Sequence, residues 1–269
     1  METNKTILVP TDFSERATNA LDQAVFLAQK THSRLVIYHF YHRPVVDRGS
    51  DRALEELEKK IELKFQDLLK VLPDLKNVPH EFKKVIGTTV EKITGRVNTG
   101  GVDMLVMATK GAKGFNEIWG TKTARIIKMI QKPAFVIPDQ TNLKHLKKVA
   151  LACDYSLNTN YEAIKFLTDL AEQLNFSIDV VTLNRDEKTM TKLEHKHRDQ
   201  IMELMGNVKA SFKFTQHPQI DKGIMAYAKE NNVDAVVILS KNYSFIESLF
   251  HESLTEKMVF NSPMPLMVI

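Results

Sequence analysis

Apolar residues in this chain fall into two patterns. Short unbroken runs occupy residues 6–10, 35–38, 104–108 and 134–137, and the mixed stretch 81–86 also reads as a strand. Each run is too short for a helix and is read as a buried strand. Between the runs, apolar residues recur at spacings of three and four. Ser14 is placed to cap a helix whose one face carries Ala17, Leu21, Ala24, Val25 and Ala28. Leu54, Leu57, Ile61, Phe65, Leu68 and Leu72 predict a long amphipathic helix over 51–72. Shorter helices are predicted at 89–99 and 121–130. The remainder follows the same plan, with strands at 148–152, 177–183, 209–215, 234–239 and 265–269. Helices are predicted there at 158–174, 188–206, 221–231 and 253–260. Alternating strands and helices imply a parallel sheet covered on both faces. The predicted fold is α/β: two tandem doubly wound domains, each a five-stranded parallel sheet with helices on both faces.

The plan recurs because the sequence itself does. Ile7-Leu8-Val9-Pro10-Thr11-Asp12-Phe13-Ser14 is echoed by Val149-Ala150-Leu151-Ala152-Cys153-Asp154-Tyr155-Ser156, 142 residues later. Val102-Asp103-Met104-Leu105-Val106 is echoed by Val233-Asp234-Ala235-Val236-Val237 at an offset of 131. Lys132-Pro133-Ala134-Phe135-Val136-Ile137 is echoed by Met264-Pro265-Leu266-Met267-Val268-Ile269 at an offset of 132. Three matches in one order indicate two copies of one domain, at 1–140 and 144–269, with a linker over 139–146. Each copy closes on a short apolar run. A last strand of this topology lies at a sheet edge, and a bare apolar edge invites pairing. The two last strands are therefore expected to pair with each other, making an intramolecular pseudo-dimer.

Charge and composition narrow the class. The net charge of +4 is too mild to point to nucleic acid. Residues 1–140 carry 22 basic and 17 acidic side chains, whereas 141–269 carry 15 and 16. The split reads either as chance surface variation or as a first half suited to an anion. No apolar run approaches the ~18 residues of a membrane span, so no membrane partner is expected. The single cysteine, Cys153, cannot form an internal disulfide. A cytoplasmic location and an inert buried thiol are the expectations.

In a doubly wound sheet, ligands sit beyond the carboxyl ends of the strands where strand order reverses. That directs attention to Asp12 and to the loop after residue 108. The loop holds three of the chain's ten glycines, Gly111, Gly114 and Gly120, with Lys110, Lys113 and Lys122. Glycines let backbone N–H groups approach an anion, and Gly120-Thr121 opens a helix whose free N–H groups favour phosphate. In the second copy, Asn242 and Glu252 replace Gly111 and Gly120. A carboxylate at the helix mouth repels phosphate.

These motifs resemble the universal stress protein family, in a tandem two-domain form. Val9-Pro10-Thr11-Asp12-Phe13-Ser14 is similar to that family's opening, and Gly120-Thr121 followed by Lys132-Pro133 to its close. The resemblance implies an adenine-nucleotide-binding-like fold and, in the first domain, a site for ATP, ADP or AMP. It places Pro10 and Asp12 near base and ribose, Phe40 near the base, and Gly111, Gly120 and Thr121 at the phosphates. Family members that bind ATP carry Gly, two residues, Gly, nine residues, then Gly-Ser or Gly-Thr. Here Ala108 replaces the first glycine, and eight residues separate Gly111 from Gly120. The resemblance also implies pairing through the fifth strands. It leaves open whether Mg²⁺ accompanies the nucleotide, and which protein partner the chain serves.

The other candidate groups are read as structural. His39, His42 and His80 fix no metal set. His195 and His197, on a polar helix, are expected to face solvent, and Trp119 to pack. The sequence shows no nucleophile–base–orienter set, no Walker motif and no paired carboxylates at a strand end. A non-catalytic stress-response module that binds an adenine nucleotide is the expected function. A scaffold without nucleotide, and a weak ATP hydrolase, remain as alternatives.

Overall fold

The computed structural model describes residues 5–43, 50–109, 119–155, 160–239 and 264–269. The first half contains β1 (Thr6–Pro10), α1 (Glu15–Thr31), β2 (Arg34–Tyr41), α2 (Ser50–Val71), β3 (His80–Ile86), α3 (Thr89–Asn98), β4 (Met104–Ala108), α4 (Trp119–Met129) and β5 (Ala134–Ile137). The second contains β6 (Lys148–Ala152), α5 (Tyr161–Leu174), β7 (Ser177–Leu183), α6 (Lys192–Met205), β8 (Ala210–Thr215), α7 (Ile220–Glu230), β9 (Ala235–Ile238) and β10 (Leu266–Val268). The helix expected at 253–260 lies outside the described residues.

The ten described strands form one sheet in the order β3-β2-β1-β4-β5-β10-β9-β6-β7-β8. Read inward from either edge, the order is the same. Neighbours within each half are parallel, and β5 and β10 meet antiparallel at the centre. The register sets Val136 opposite Leu266, Phe135 opposite Met267 and Ala134 opposite Val268.

The period of two along the strands sorts side chains onto two cores. Ile7, Val9, Met104 and Val106 face α1 and α2, together with Phe65 and Leu68 of α2. Leu8, Leu105 and Met107 face α3 and α4, with Ile93, Val97, Ile126 and Ile127. In the second half, α5 and α6 cover the first core and α7 the second. Neither core stops at the seam: Phe135 and Met267 share the first, Val136 and Leu266 the second. Each fully buried large apolar side chain contributes about 1.5–3 kcal/mol, so the seam is held by packing as well as by its strand ladder. α1 also contacts α5 across it.

Local chemistry sets the helix ends. Ser14 Oγ accepts from Ala17 N–H at 3.3 Å, and α1 stops at His32, whose φ of 51° is left-handed. α6 departs from expectation. A continuous helix over 188–206 is replaced by a 3-10 turn at Glu187–Thr189 and a fresh start after Thr191. Thr191 and Glu194 form a reciprocal capping box, with Thr191 Oγ1 accepting from Glu194 N–H at 3.2 Å. Two N-terminal donors satisfied at once outweigh continuation of the helix.

The linker is docked on α1. Leu143 and Leu146 are buried. Leu143 N–H donates to Gln23 Oε1 at 2.8 Å, and Arg16 Nε donates to Asp139 Oδ2 at 3.0 Å.

Candidate functional site

In the first half, strand order reverses between β1 and β4, and a cavity of about 560 Å³ opens at their carboxyl ends. Ligand sites of small molecules span about 300–1,000 Å³. The structure brings Pro10, Asp12, Phe40 and Ala108 together on its wall. Gly111 lies outside the described residues. Gly120 and Thr121 stand in the first turn of α4, which also supplies Lys122 and Thr123 to the wall.

The corner between β1 and α1 is held by its own polar groups. Thr11 N–H donates to Tyr38 O at 2.8 Å, extending the β1–β2 ladder by one step. Phe13 takes a left-handed φ of 64°, a conformation costing a non-glycine residue roughly 1–2 kcal/mol. Its N–H donates to Thr11 Oγ1 at 3.0 Å, and its ring packs on Phe65 at 5.3 Å and His39 at 4.4 Å. Asp12 Oδ1 accepts from Ser14 N–H at 3.0 Å. One carboxylate oxygen thus fixes the corner while the exposed side chain borders the cavity. His39 Nδ1 lies 2.9 Å from Thr11 O. A carbonyl only accepts, so Nδ1 carries the proton. Burial pushes the His39 pKa below its usual value, opposed by the Thr11 bond and reinforced by Lys64.

The cavity is amphipathic. Met107 and Ile126 are buried apolar lining, and the side chains of Asp12, Glu15, Arg16 and Lys122 bring both signs of charge. Thr89, at the start of α3, adds a hydroxyl. Glu15, Arg16 and Thr89 were not singled out from sequence. Their contribution follows from where α1 and α3 begin, and no motif marks them.

The second half repeats the corner with different chemistry. Cys153 N–H donates to Val181 O at 3.0 Å, and Tyr155 has a left-handed φ of 53°. Where the first cavity has Phe40, Thr89 and Ala108, the corresponding positions hold Leu183, Ile220 and Leu239. Leu239 is buried in the core. Cys153 is buried as expected, and burial pushes its thiol up to about 12. His197 corrects the sequence reading: it is buried, and its Nδ1 lies 2.9 Å from Tyr155 O. The polar character of α6 hid an inward position that α6 needs to hold this corner. The loop carrying Asn242 and Glu252 lies outside the described residues, as does the side chain of Trp119.

His39 and His80 are each engaged with a backbone carbonyl, Thr11 O and Val78 O. Among the described residues no three potential metal ligands cluster. No described helix is long and apolar enough to cross a membrane.

The model of the universal stress protein family matches residues 3–138, just over half the chain. The chain belongs to the universal stress protein family. A universal stress protein from Archaeoglobus fulgidus has a similar structure, at TM-score 0.75 and 17% identity, over 100% of this chain and 98% of that one. A functionally unknown protein from Pseudomonas aeruginosa matches at TM-score 0.62 and 13% identity, over 98% of this chain and 92% of that one. At these identities the likeness is one of fold, and it extends over nearly all of this chain. No match was found among curated protein sequences. In this universal stress protein the family model covers the first half, and the second half repeats its strand order.

Proposed function

We propose that this universal stress protein is a cytoplasmic, non-catalytic stress-response module that binds an adenine nucleotide in its first half. The observation that carries the reading is the cavity at the first switch point, where Pro10, Asp12, Phe40 and Ala108 converge. Its volume and amphipathic lining suit a nucleotide: apolar surface from Met107 and Ile126, an exposed carboxylate at Asp12, and cations at Arg16 and Lys122. In this reading Pro10, Asp12 and Phe40 serve base and ribose. The phosphates lie toward α4, with Gly111, Gly120 and Thr121 supplying backbone N–H and hydroxyl donors. Residues 1–140 form the binding domain and 144–269 a second domain whose equivalent positions are filled by Leu183, Ile220 and Leu239. The antiparallel β5–β10 ladder supports treating the two as an intramolecular pseudo-dimer.

Thermal denaturation with ATP, ADP and AMP tests the reading. Ligand at 100 times its Kd stabilises by about 2.7 kcal/mol. Gly120→Glu, which copies the second half's carboxylate, should abolish the shift, while Asp154→Ala should leave it intact. No shift with any nucleotide would leave the protein a scaffold acting through contacts. Turnover of ATP near ~1 per second, lost on site mutation, would make it an enzyme.

A further inference from the structure

Arg16 lies in the first turn of α1 and lines the proposed nucleotide cavity. The same side chain reaches the linker, where its Nε donates to Asp139 Oδ2 at 3.0 Å. Asp139 in turn lines a smaller cavity of about 220 Å³, shared with Asp234 and Pro265 of the second half. The ion pair thus stands between the ligand cavity and the junction of the two halves. Nearby, Asn19 Nδ2 donates to Pro138 O at 3.4 Å and Gln23 accepts from Leu143 N–H, so α1 and the linker are in register along several residues.

The pair is built to exchange. Its side chains are 41% and 44% exposed, and ion pairs at such exposure are weak. The bond uses Nε of Arg16, and a guanidinium carries further donors on its two terminal nitrogens. A phosphate offers more charge than a carboxylate and matches the guanidinium fork. The cavity's own carboxylates, Asp12 and Glu15, favour keeping Arg16 close to it, and Lys122 is the other described cation on the wall.

Resting on the nucleotide reading of this cavity, we propose that Arg16 is a phosphate-binding residue shared with Asp139, so that a phosphorylated ligand draws the guanidinium away from the linker. The ligand's phosphate and Asp139 compete for one cation, and occupancy of the first half is thereby felt at the junction with the second.

Isothermal titration of the full chain with ATP, AMP and adenosine tests this. Arg16→Gln should weaken ATP and AMP about tenfold, the scale of a lost charge-assisted hydrogen bond, and leave adenosine unchanged. Asp139→Asn removes the competitor and should tighten ATP several-fold, with no effect on adenosine. The double variant should match Arg16→Gln alone, because without Arg16 there is nothing to compete for. Weakening of ATP by Asp139→Asn would show that Asp139 only supports the corner and would overturn the proposal. Equal weakening of adenosine by Arg16→Gln would do the same. Wild-type binding of ATP with indifferent variants sinks this inference alone. Absence of wild-type binding to all three probes removes the nucleotide reading and this inference with it.

Discussion

Asp103 and Asp234 occupy the same station 131 residues apart, and each carboxylate accepts the backbone N–H that opens the neighbouring central strand. Asp103 Oδ2 accepts from Thr6 at 2.8 Å, and Asp234 Oδ2 from Lys147 at 2.8 Å and Lys148 at 2.9 Å. The Val-Asp of the repeat is thus a strand-starting device that sets β1 against β4 and β6 against β9. Asp103→Ala leaves one partly buried donor without its partner and should cost about 1–3 kcal/mol. Asp234→Ala removes two hydrogen bonds, one partly buried and one exposed, and should cost more. Urea denaturation of both variants checks the order; equal losses would contradict it.

Much of this architecture is legible in the sequence because it rests on local patterns. The apolar runs at 6–10 and 104–108 name their strands, and Ser14 and Asp12 mark the corner between β1 and α1. What escaped reading is set by tertiary packing. Nothing local announces that Phe13 and Tyr155 adopt positive φ, since their cost is met by rings and histidines from distant elements. His197 looked like a surface residue because its sequence neighbours are polar, yet its ring faces Tyr155 O. Arg16 and Thr89 reach the cavity because two helices start beside it. The split of α6 was legible in Thr191 and Glu194, but the three-and-four spacing masked it.

The seam at β5 and β10 should not tolerate charge. Val136 and Val268 are 1% and 7% exposed and belong to the same core. A lysine at either position buries an ammonium without a partner, which costs at least several kcal/mol or forces the strands apart. Val136→Lys and Val268→Lys should each lower the urea midpoint and raise the aggregated fraction in size-exclusion chromatography. Wild-type behaviour of both would show that the halves do not depend on the seam.

Acid should weaken the fold through His39. Burial, the largest cause, lowers its folded pKa below the usual value; the Thr11 bond and Asp12 oppose this, and Lys64 adds to it. A folded state with a depressed histidine pKa binds fewer protons than the unfolded chain. Between the folded value and about 6.5, the unfolded state is therefore favoured as pH falls. The contribution is intact above that window and is lost as pH drops through it. His39→Asn keeps a donor for Thr11 O but cannot titrate. The difference in urea midpoint between pH 7.5 and pH 5 should be smaller in the variant. Superimposable pH profiles would remove His39 from the account.

Two helical glycines should respond in opposite directions to alanine. Gly95 lies in α3 and is exposed, and a Cβ added there meets nothing within 4 Å. Only backbone entropy and helix propensity act, so Gly95→Ala should stabilise by about 0.5–1 kcal/mol. Gly223 lies in α7 and is buried. A Cβ there would stand 2.3 Å from Leu183 Cδ2 and 2.7 Å from His217 Cβ. The leucine tip can rotate, but His217 Cβ is rooted in backbone held by Asn184 Oδ1, which accepts its N–H at 2.9 Å. Overpacking costs typically ~1–3 kcal/mol, against a propensity gain of about 1 kcal/mol, so the clash prevails. Gly223→Ala should lower the urea midpoint while Gly95→Ala raises it. A gain at both sites would mean that α7 can shift outward by the width of a methyl group.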